Sequence, residues 1–358
     1  MERHVLEVYT DYLISQQKYA TATGLSALLE GSLSHDKITR LLSQEDYGSK
    51  ELWSYVKPLV RSQETLDMGV LSFDDTIEEK PYTDENELVC WHFCHTHNRN
   101  VKGINLLTAL VSYGEVSIPV GYELVKKNRA YCDIKTRQEK RMSCVTKNEQ
   151  FRGLFKQCVE NKLKFAYTLA DSWFACVENM KYIHEAGRYF IFALKSNRLV
   201  ALTPEAKQSA QYENISSLAF KEGESLVCYL KDYKYPVSIC KKVFTNEDGS
   251  QGILYLVTND LTLSAERMVE IYQKRWKIEV YHKSIKQNAS LAKSPTRTVR
   301  TQSNHVFCSL IGYCKLEALK IKTHLNHFAI RHKLLLKANL VSMQELKSMQ
   351  QSAGLIMA

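Results

Sequence analysis

The sequence predicts an α/β protein in which a mixed β-sheet is flanked by helices, with further helices at both ends of the chain. Two apolar runs, residues 69–75 and 165–171, have the composition of strands, and both end in aspartate. Segments with the apolar period of a helix lie between and after them. At 358 residues the chain exceeds the usual size of one domain, so we expect one large core with appended or inserted modules.

The composition is consistent with a polyanionic partner. Lys and Arg number 48 against 39 Asp and Glu, and the isoelectric point is about 8.9. The ten cysteines are scattered without paired metal-site spacing, and neither a signal peptide nor an apolar run of membrane-spanning length is recognisable. We therefore predict a cytoplasmic protein with reduced thiols.

One short segment carries the residue types of a zinc site. The segment "CWHFCHTHN" contains five such side chains, namely Cys90, His92, Cys94, His95 and His97. However, its residues alternate as in a strand, and no second ligand pair follows at the spacing of a zinc finger. The sequence therefore favours a strand and a polar turn over a zinc site.

The first 66 residues are predicted to form a helical domain. Residues 23–43 have the outline of a helix-turn-helix: a short helix, a turn with glycine, and a second helix opened by Ser34. Ile38, Leu41 and Leu42 would face inward. The polar residues of the second helix would then be free to meet a DNA groove: His35, Asp36, Lys37, Thr39 and Arg40. An ordinary helical hairpin explains the same pattern equally well.

The next segments predict the first part of the catalytic core, residues 67–199. The apolar run "GVLSFDD" predicts a strand that delivers Asp74 and Asp75 to its end. Residues 104–127 predict two antiparallel strands around a turn at 113–115, beside the first strand. A basic loop is predicted at 126–147. Its positive charge indicates either contact with phosphates or a solvated surface loop. A helix at about 148–162 then leads to the strand that ends at Asp171.

The rest of the chain predicts an insertion followed by helices. Residues 200–260 alternate as strands and predict an inserted β module. Residues 261–300 complete the core with a helix that carries Glu279, and residues 301–358 predict C-terminal helices.

That helix has two distinct faces. At about 100° per residue, four side chains fall within roughly a 60° arc: Tyr272, Arg275, Glu279 and Lys286. Ile271, Ile278 and Ile285 recur every seven residues on another stripe, as expected of a helix packed on a core. Taken alone, the polar face is also explained as a solvated surface with an Arg275–Glu279 salt bridge.

Three acids on separate elements suggest phosphoryl-transfer chemistry. Asp75, Asp171 and Glu279 are far apart in sequence, and a mixed sheet with both strands in its centre could bring them together. In phosphoryl transfer, two hard cations roughly 3.5 to 4 Å apart stabilise the attacking and leaving oxygens. Such cations are bound by oxygen ligands, which carboxylates supply. The sequence therefore predicts a Mg²⁺ site, although an aspartate after a strand is often only a turn or cap residue.

At these residues the chain resembles the DDE transposases of bacterial insertion sequences, in the insertion-sequence-four-like subgroup marked by Y-x2-R-x3-E-x6-K. Tyr272, Arg275, Glu279 and Lys286 match this signature. "FDDT" (73–76) and "LADSWF" (169–174) resemble the first and second aspartate motifs. The resemblance covers residues from about 67 to 320 and implies an RNase H-like core with an inserted strand module.

The resemblance also implies an activity and its partners. The activity is cut-and-paste DNA transposition: cleavage at terminal inverted repeats, a hairpin intermediate, and strand transfer to target DNA. Asp75, Asp171 and Glu279 would bind two Mg²⁺ ions, or Mn²⁺ in their place. The DNA-contacting residues would be Tyr272, Arg275, Lys286, Lys283 and Trp276. The protein would act as a homodimer on double-stranded DNA, associated with the nucleoid.

Three questions stay open at this point. Asp74 and Asp75 are adjacent, so they point to opposite faces of a strand and one of them enters the site; the resemblance favours Asp75, which immediately precedes the threonine. A related RNase H-like nuclease would hydrolyse DNA without joining it. A DNA-binding regulator would use only residues 23–43 and would not need the three acids.

Overall fold

The computed structural model describes residues 3–64, 68–94 and 97–355. The chain folds into two compact units. The helical unit comprises Met1–Tyr55 and His282–Ala358, and the sheet unit comprises Val56–Tyr281. Among the described residues, no helix combines the length and the apolar character needed to cross a membrane.

Helices occupy both ends of the described chain, as predicted, and further helices lie among the strands. They are α1 (Arg3–Ser15), α2 (Ala22–Leu28), α3 (His35–Ser43), α4 (Ser49–Gln63), α5 (Lys147–Glu160), α6 (Val177–Glu185), α7 (Pro204–Gln208), α8 (Ala265–Gln273), α9 (Trp276–Asn288), α10 (Val299–Thr323) and α11 (His327–Ser352).

The strands lie between α4 and α8. They are β1 (Gly69–Glu79), β2 (Cys90–Cys94), β3 (Arg99–Tyr113), β4 (Val116–Leu124), β5 (Arg129–Cys132), β6 (Glu139–Met142), β7 (Phe165–Ala170), β8 (Tyr189–Leu194), β9 (Leu199–Ala201), β10 (Glu213–Asn214), β11 (Ser225–Leu230), β12 (Val237–Thr245) and β13 (Gln251–Thr258).

The core of the helical unit forms around α10, most of which is buried. Tyr9 on α1 hydrogen-bonds His305 at 3.0 Å, and Tyr47 stacks on Phe307 at a centroid distance of 4.9 Å. The Asn304 amide donates to two backbone carbonyls at the end of α3 and just after it. In α3 the predicted inward residues, Ile38, Leu41 and Leu42, are buried, and the polar residues predicted to face a DNA groove are exposed.

The large sheet of the sheet unit is mixed. Its strand order is β10-β9-β11-β12-β13-β8-β7-β1-β3-β2, and β4 pairs with β3. The β1–β7 and β7–β8 pairs are parallel and the other pairs are antiparallel. The predicted mixed sheet flanked by helices is therefore confirmed. The β3–β4 hairpin turns at Gly114, where φ is +50°, within the turn predicted at 113–115.

Strand β1 is longer than the sequence indicated. We predicted that it ends at Asp74 and Asp75, but it continues to Glu79 because β3 pairs with it from Val70 as far as Glu79. The parallel pairing with β7 stops earlier, at Phe73 opposite Ala170. Asp74 therefore lies just beyond the end of that parallel pairing, while its own strand continues.

The predicted inserted strands extend the same sheet. Strand β13 pairs with β8 and continues through β12 and β11 to the edge strands. The boundaries of the predicted domains stay a prediction. The basic segment 126–147 is more ordered than predicted, because β5 and β6 form a separate antiparallel hairpin within it.

Helices cover the two faces of this sheet. On one face, Phe73 of β1 packs against Phe151 of α5 at a centroid distance of 4.3 Å, and Phe151 stacks on Phe174 at 5.5 Å. On the other face, a core cluster joins apolar residues of the strands to α8, including Val70, Leu169, Met268 and Ile271. We call these the α5 face and the α8 face.

Candidate active site

Strand alternation places Asp74 on the α8 face. Val70 belongs to the core cluster beneath α8, and Asp74 follows it by four residues, so its side chain points to the same face. Leu169 of β7 belongs to the same cluster, and Asp171 comes two residues later, directly after the strand. The two aspartates therefore lie at neighbouring positions of adjacent parallel strands.

The helix predicted to carry Glu279 is broken, and the break places an arginine and the third carboxylate beside Asp74. The helix predicted across 272–286 is two helices, since α8 ends at Gln273 and α9 begins at Trp276. Arg275 lies in the short turn between them. Its Nη1 is 3.2 Å from Asp74 Oδ2 and 3.4 Å from Glu279 Oε1. One carboxylate oxygen of Asp74 lies within 4.8 Å of one of Glu279.

These side chains differ in their access to solvent. The side chains of Asp74 and Arg275 are 15% and 16% exposed, whereas that of Glu279 is 40% exposed. Tyr272, predicted on the polar face, is buried in the core beneath α8, and its hydroxyl donates to the carbonyl of Ala170 at 3.4 Å. Glu279 is therefore the most accessible of these four side chains.

Asp171 is held by the backbone that follows it. Its Oδ1 accepts hydrogen bonds from the amides of Trp173 at 3.0 Å and Phe174 at 3.4 Å. Such a turn fixes the carboxylate at the end of β7. Asp171 then acts on Asp74 through its charge, which is one of the causes of the raised pKa of Asp74.

The electrostatics of the group favour a positive partner. Burial and the neighbouring carboxylates of Glu279 and Asp171 raise the pKa of Asp74 well above its usual range, and Arg275 only partly opposes them. For Arg275, burial is outweighed by Tyr272, Asp74 and Glu279, so its pKa is raised. Burial also raises the pKa of Tyr272 to about 12, which keeps its hydroxyl a donor.

The structure does not bring Asp75 to this group. Its side chain lies on the α5 face, where Oδ1 accepts from Lys147 at 2.8 Å and Oδ2 from Asn105 at 2.7 Å. Adjacent residues of a strand point to opposite faces, and α8 and α9 supply the other site residues from the face that Asp74 occupies. The geometry therefore favours Asp74, against the sequence-based choice of Asp75.

The remaining predicted DNA contacts lie along α9. Trp276 is 67% exposed at its first position. Lys283 and Lys286 follow later and belong to the helical unit, where Lys283 is exposed with its Nζ 5.5 Å from the centroid of the Phe328 ring, and Lys286 is half-buried. Their roles stay predictions.

The segment with zinc-ligand types is mostly a strand, as predicted. Cys90 and His92 share its buried side, with Sγ and Nε2 3.3 Å apart. Burial, followed by the charges of Lys127 and Lys147, lowers the pKa of His92 to about 4. His95 lies outside the described residues.

Two residues beside the site were not predicted from the sequence. Lys147 pairs with Asp75 across 72 positions and lies over the ring of Trp173, at 4.1 Å from its centroid. No local pattern signals such a contact, although Lys147 lies in the basic segment and Trp173 in the second aspartate motif.

The donor set fits a divalent cation. Asp74, Asp171 and Glu279 offer carboxylate oxygens, which are the ligands of hard cations such as Mg²⁺. Burial, followed by repulsion from the carboxylates of Glu279 and Asp171, raises the pKa of Asp74, and Arg275 opposes them only in part. A bound cation would relieve that repulsion.

This crowding predicts an effect on stability. Because the pKa of Asp74 is raised in the folded state, its ionisation destabilises the fold; the penalty is absent below pH of about 4 and grows as pH rises toward the raised value. In metal-free buffer, Asp74→Asn should therefore stabilise the protein at neutral pH, with the gain vanishing at acidic pH. Thermal unfolding followed by circular dichroism across this pH range measures the difference.

Asp75→Asn is the matched control for that measurement. It weakens the ion pair with Lys147 and the hydrogen bond from Asn105, so it should lower stability at neutral pH. A lower melting temperature for Asp74→Asn than for the unaltered protein at neutral pH would contradict the assignment of crowded charge to Asp74.

Comparison with known proteins identifies the family models that this chain matches. Residues 126–314 match the model described as "Transposase DDE domain", and residues 1–214 match "DDE superfamily endonuclease". A curated relative, "Probable transposase for insertion sequence element IS5377" of Geobacillus stearothermophilus, is 24% identical over 147 residues. That match covers 41% of this chain and 37% of the relative.

Proposed function

The chain belongs to the transposase DDE domain family, and on this premise we propose that it carries out cut-and-paste transposition of an insertion sequence. The family implies an enzyme that acts on DNA, and the mixed sheet flanked by helices is consistent with an RNase H-like endonuclease fold. The observation that most supports the proposal is the grouping of Asp74, Asp171 and Glu279, which come from two parallel strands and a following helix.

We propose these three carboxylates as the catalytic residues and metal ligands. DDE transposases generally use divalent metal ions, and we propose two Mg²⁺ ions here, with Mn²⁺ able to replace them. When bound, such ions lower the pKa of the attacking hydroxyl and stabilise the leaving oxygen of an in-line displacement. The position of Asp74 between Arg275 and the other acids supports its choice over Asp75.

The other signature residues are assigned to the DNA. Arg275 can exchange its contact with the carboxylates for a phosphate as DNA approaches, because a guanidinium offers several donors in one plane. Tyr272 fixes the end of β7 through Ala170, which supports a positioning role beside the terminal phosphates. Lys286, a residue of the subgroup signature, is proposed as a further DNA contact on α9. Lys283 and Trp276, which lie on the same helix outside the signature, are proposed to assist it.

The proposed reaction has four steps. Water attacks a phosphodiester at the terminal inverted repeat, which breaks the bond to the 3′ oxygen and leaves a 3′-hydroxyl and a 5′-phosphate. The freed 3′-hydroxyl attacks a phosphodiester of the opposite strand, which joins the two strands in a hairpin and releases the 3′ oxygen of the flanking DNA as a hydroxyl. Water then hydrolyses the hairpin phosphodiester and regenerates the 3′-hydroxyl of the element. This 3′-hydroxyl finally attacks a phosphodiester of target DNA and displaces its 3′ oxygen. We propose that a homodimer performs these steps on double-stranded DNA, in the cytoplasm and in association with the nucleoid.

The proposal is tested by the products formed on the element's own end. Purified protein should convert an end-labelled duplex carrying that end into nicked, hairpin and joined products with Mg²⁺ or Mn²⁺, because all three require the same phosphoryl transfer. Denaturing gels resolve these products. Reactions with EDTA, and with a duplex of scrambled end sequence, are the controls.

Other outcomes separate the alternatives. Nicks without hairpin or joined products would indicate a non-joining nuclease. Binding without cleavage under every metal condition would point to a DNA-binding regulator that uses α3, whose polar residues are exposed. Either result would overturn the proposed transposition.

A further inference from the structure

A cleft of about 670 Å³ in the sheet unit opens beside Asp171. Its walls include Ser172 and Trp173, which directly follow that aspartate, and residues from the ends of β8 and β11. The volume is within the range of pockets that hold small ligands.

The cleft presents more positive than negative charge. Lys195, Arg198 and Lys231 line it, against Glu178 and Asp232. Lys195 and Lys231 are exposed, and within the described residues neither of them forms an ion pair. Their ammonium groups are therefore available to an anionic ligand.

Arg198 and Trp173 give the cleft a fixed shape. Arg198 donates a hydrogen bond to the carbonyl of Ala175, which holds its guanidinium against the turn after β7. Trp173 is 37% exposed and packs edge-on against Phe174 at a centroid distance of 5.0 Å. Lys147 lies over its ring at 4.1 Å. The indole is thus anchored by neighbours while part of it remains open to the cleft.

From these features we infer that the cleft binds unpaired DNA, with a base stacked on Trp173 and phosphates at Lys195 and Lys231. Aromatic side chains next to cations are the usual means by which proteins hold single strands, because every base has a face that can stack. This inference rests on the proposed function for the identity of the strand. The Trp173 amide donates to Asp171, so the cleft lies next to a proposed metal ligand. Nucleotides bound there would therefore adjoin the phosphate that reacts, and the strand released by nicking has such unpaired nucleotides.

The test is binding of a short, fluorescently labelled oligothymidine to the full-length protein in EDTA, followed by anisotropy. Trp173→Ala should weaken this binding about fivefold or more, because stacking of a base on an aromatic ring contributes about 1–3 kcal/mol. Trp173→Phe should retain most of the affinity, since it preserves an aromatic face. Binding of a blunt duplex of equal length should change much less.

Trp91→Ala is the matched control for the tryptophan. Trp91 is 51% exposed and lies on β2, at the opposite end of the sheet from β9 and β11, so its replacement should leave single-strand affinity unchanged. Equal losses for Trp173→Ala and Trp91→Ala, or equal losses on single-stranded and duplex DNA, would overturn the inference.

The lysines have a matched control on the neighbouring helices. The double variant Lys195→Ala, Lys231→Ala should weaken single-strand binding and reduce the slope of log affinity against log salt by about 1.4, or roughly 0.7 for each lost phosphate contact. Lys156 of α5 and Lys181 of α6 pair with acids of their own helices, so their double alanine variant should leave the slope unchanged. An identical slope in both double variants would contradict the phosphate contacts.

Binding in EDTA is independent of strand cleavage, so this inference and the proposed function fail separately. If the protein binds the oligonucleotide through Trp173 but cuts no DNA, the inference about the cleft stands and the proposed function is wrong. If the protein cleaves the element's ends but Trp173→Ala does not weaken single-strand binding, the proposed function stands and the inference about the cleft is wrong.

Discussion

Asp74→Asn is expected to lower the rate of strand cleavage by about a thousand-fold or more, whereas Asp75→Asn is expected to lower it by about tenfold at most. The two residues are adjacent, and each substitution replaces one carboxylate by an amide of the same shape. A difference between the cleavage rates of the two variants therefore reports where each carboxylate lies, because the chemical change is the same in both.

The expected asymmetry follows from what each carboxylate contacts. Asp74 lies next to Arg275 and Glu279, and its pKa is raised by burial and then by repulsion from its acidic neighbours. A carboxylate whose charge is not balanced by the protein is suited to bind a cation. Asp75 is balanced by Lys147 and Asn105 on the other face, so its loss acts on the reaction only through the position of β1.

Single-turnover cleavage of the end duplex with Mg²⁺ measures both rates, and anisotropy with the same duplex in EDTA measures binding. We expect both variants to bind DNA. Full activity of Asp74→Asn together with an inactive, folded Asp75→Asn would reverse the assignment and restore the choice that the sequence favoured.

Local patterns along the chain predicted the elements that their own residues determine. The turn at 113–115 and the helix from about 148 are found in the structure. Ile271, Ile278 and Ile285 are buried as predicted, but they lie on two helices and not on one. Each depends on neighbours only a few positions away, where turn chemistry and apolar period are informative. The strand that ends at Asp171 was predicted for the same reason.

Long-range packing decided what the sequence could not. The extent of β1 beyond Asp75 depends on pairing with β3, and the choice between Asp74 and Asp75 depends on which face α8 covers. The break at Arg275 was also hidden, because its neighbours preserve a helical apolar period through the turn. That break directs the guanidinium to both Asp74 and Glu279, and the contact with Asp74 could not be predicted from a straight helix.

Glu279→Ala should also abolish cleavage, with a rate loss of about a thousand-fold or more, and should leave DNA binding intact. The side chain is 40% exposed, so its removal creates no large cavity, and Arg275 retains its contact with Asp74. Removing a negative charge beside bound DNA favours a polyanion, so duplex affinity should stay equal or increase. Calorimetric titration with Mn²⁺ should show weaker metal binding.

Glu270→Ala is the matched control, and it separates a catalytic carboxylate from an ordinary surface ion pair. Glu270 is on α8, is 59% exposed, and pairs with Arg267 three positions earlier, much as Glu279 pairs with Arg275 four positions earlier. If the Arg275–Glu279 contact were only the solvated side of a helix, the two alanine variants would behave alike in cleavage and in metal binding. Because only Glu279 faces Asp74 across a shared arginine, we expect Glu270→Ala to cleave DNA at the unaltered rate.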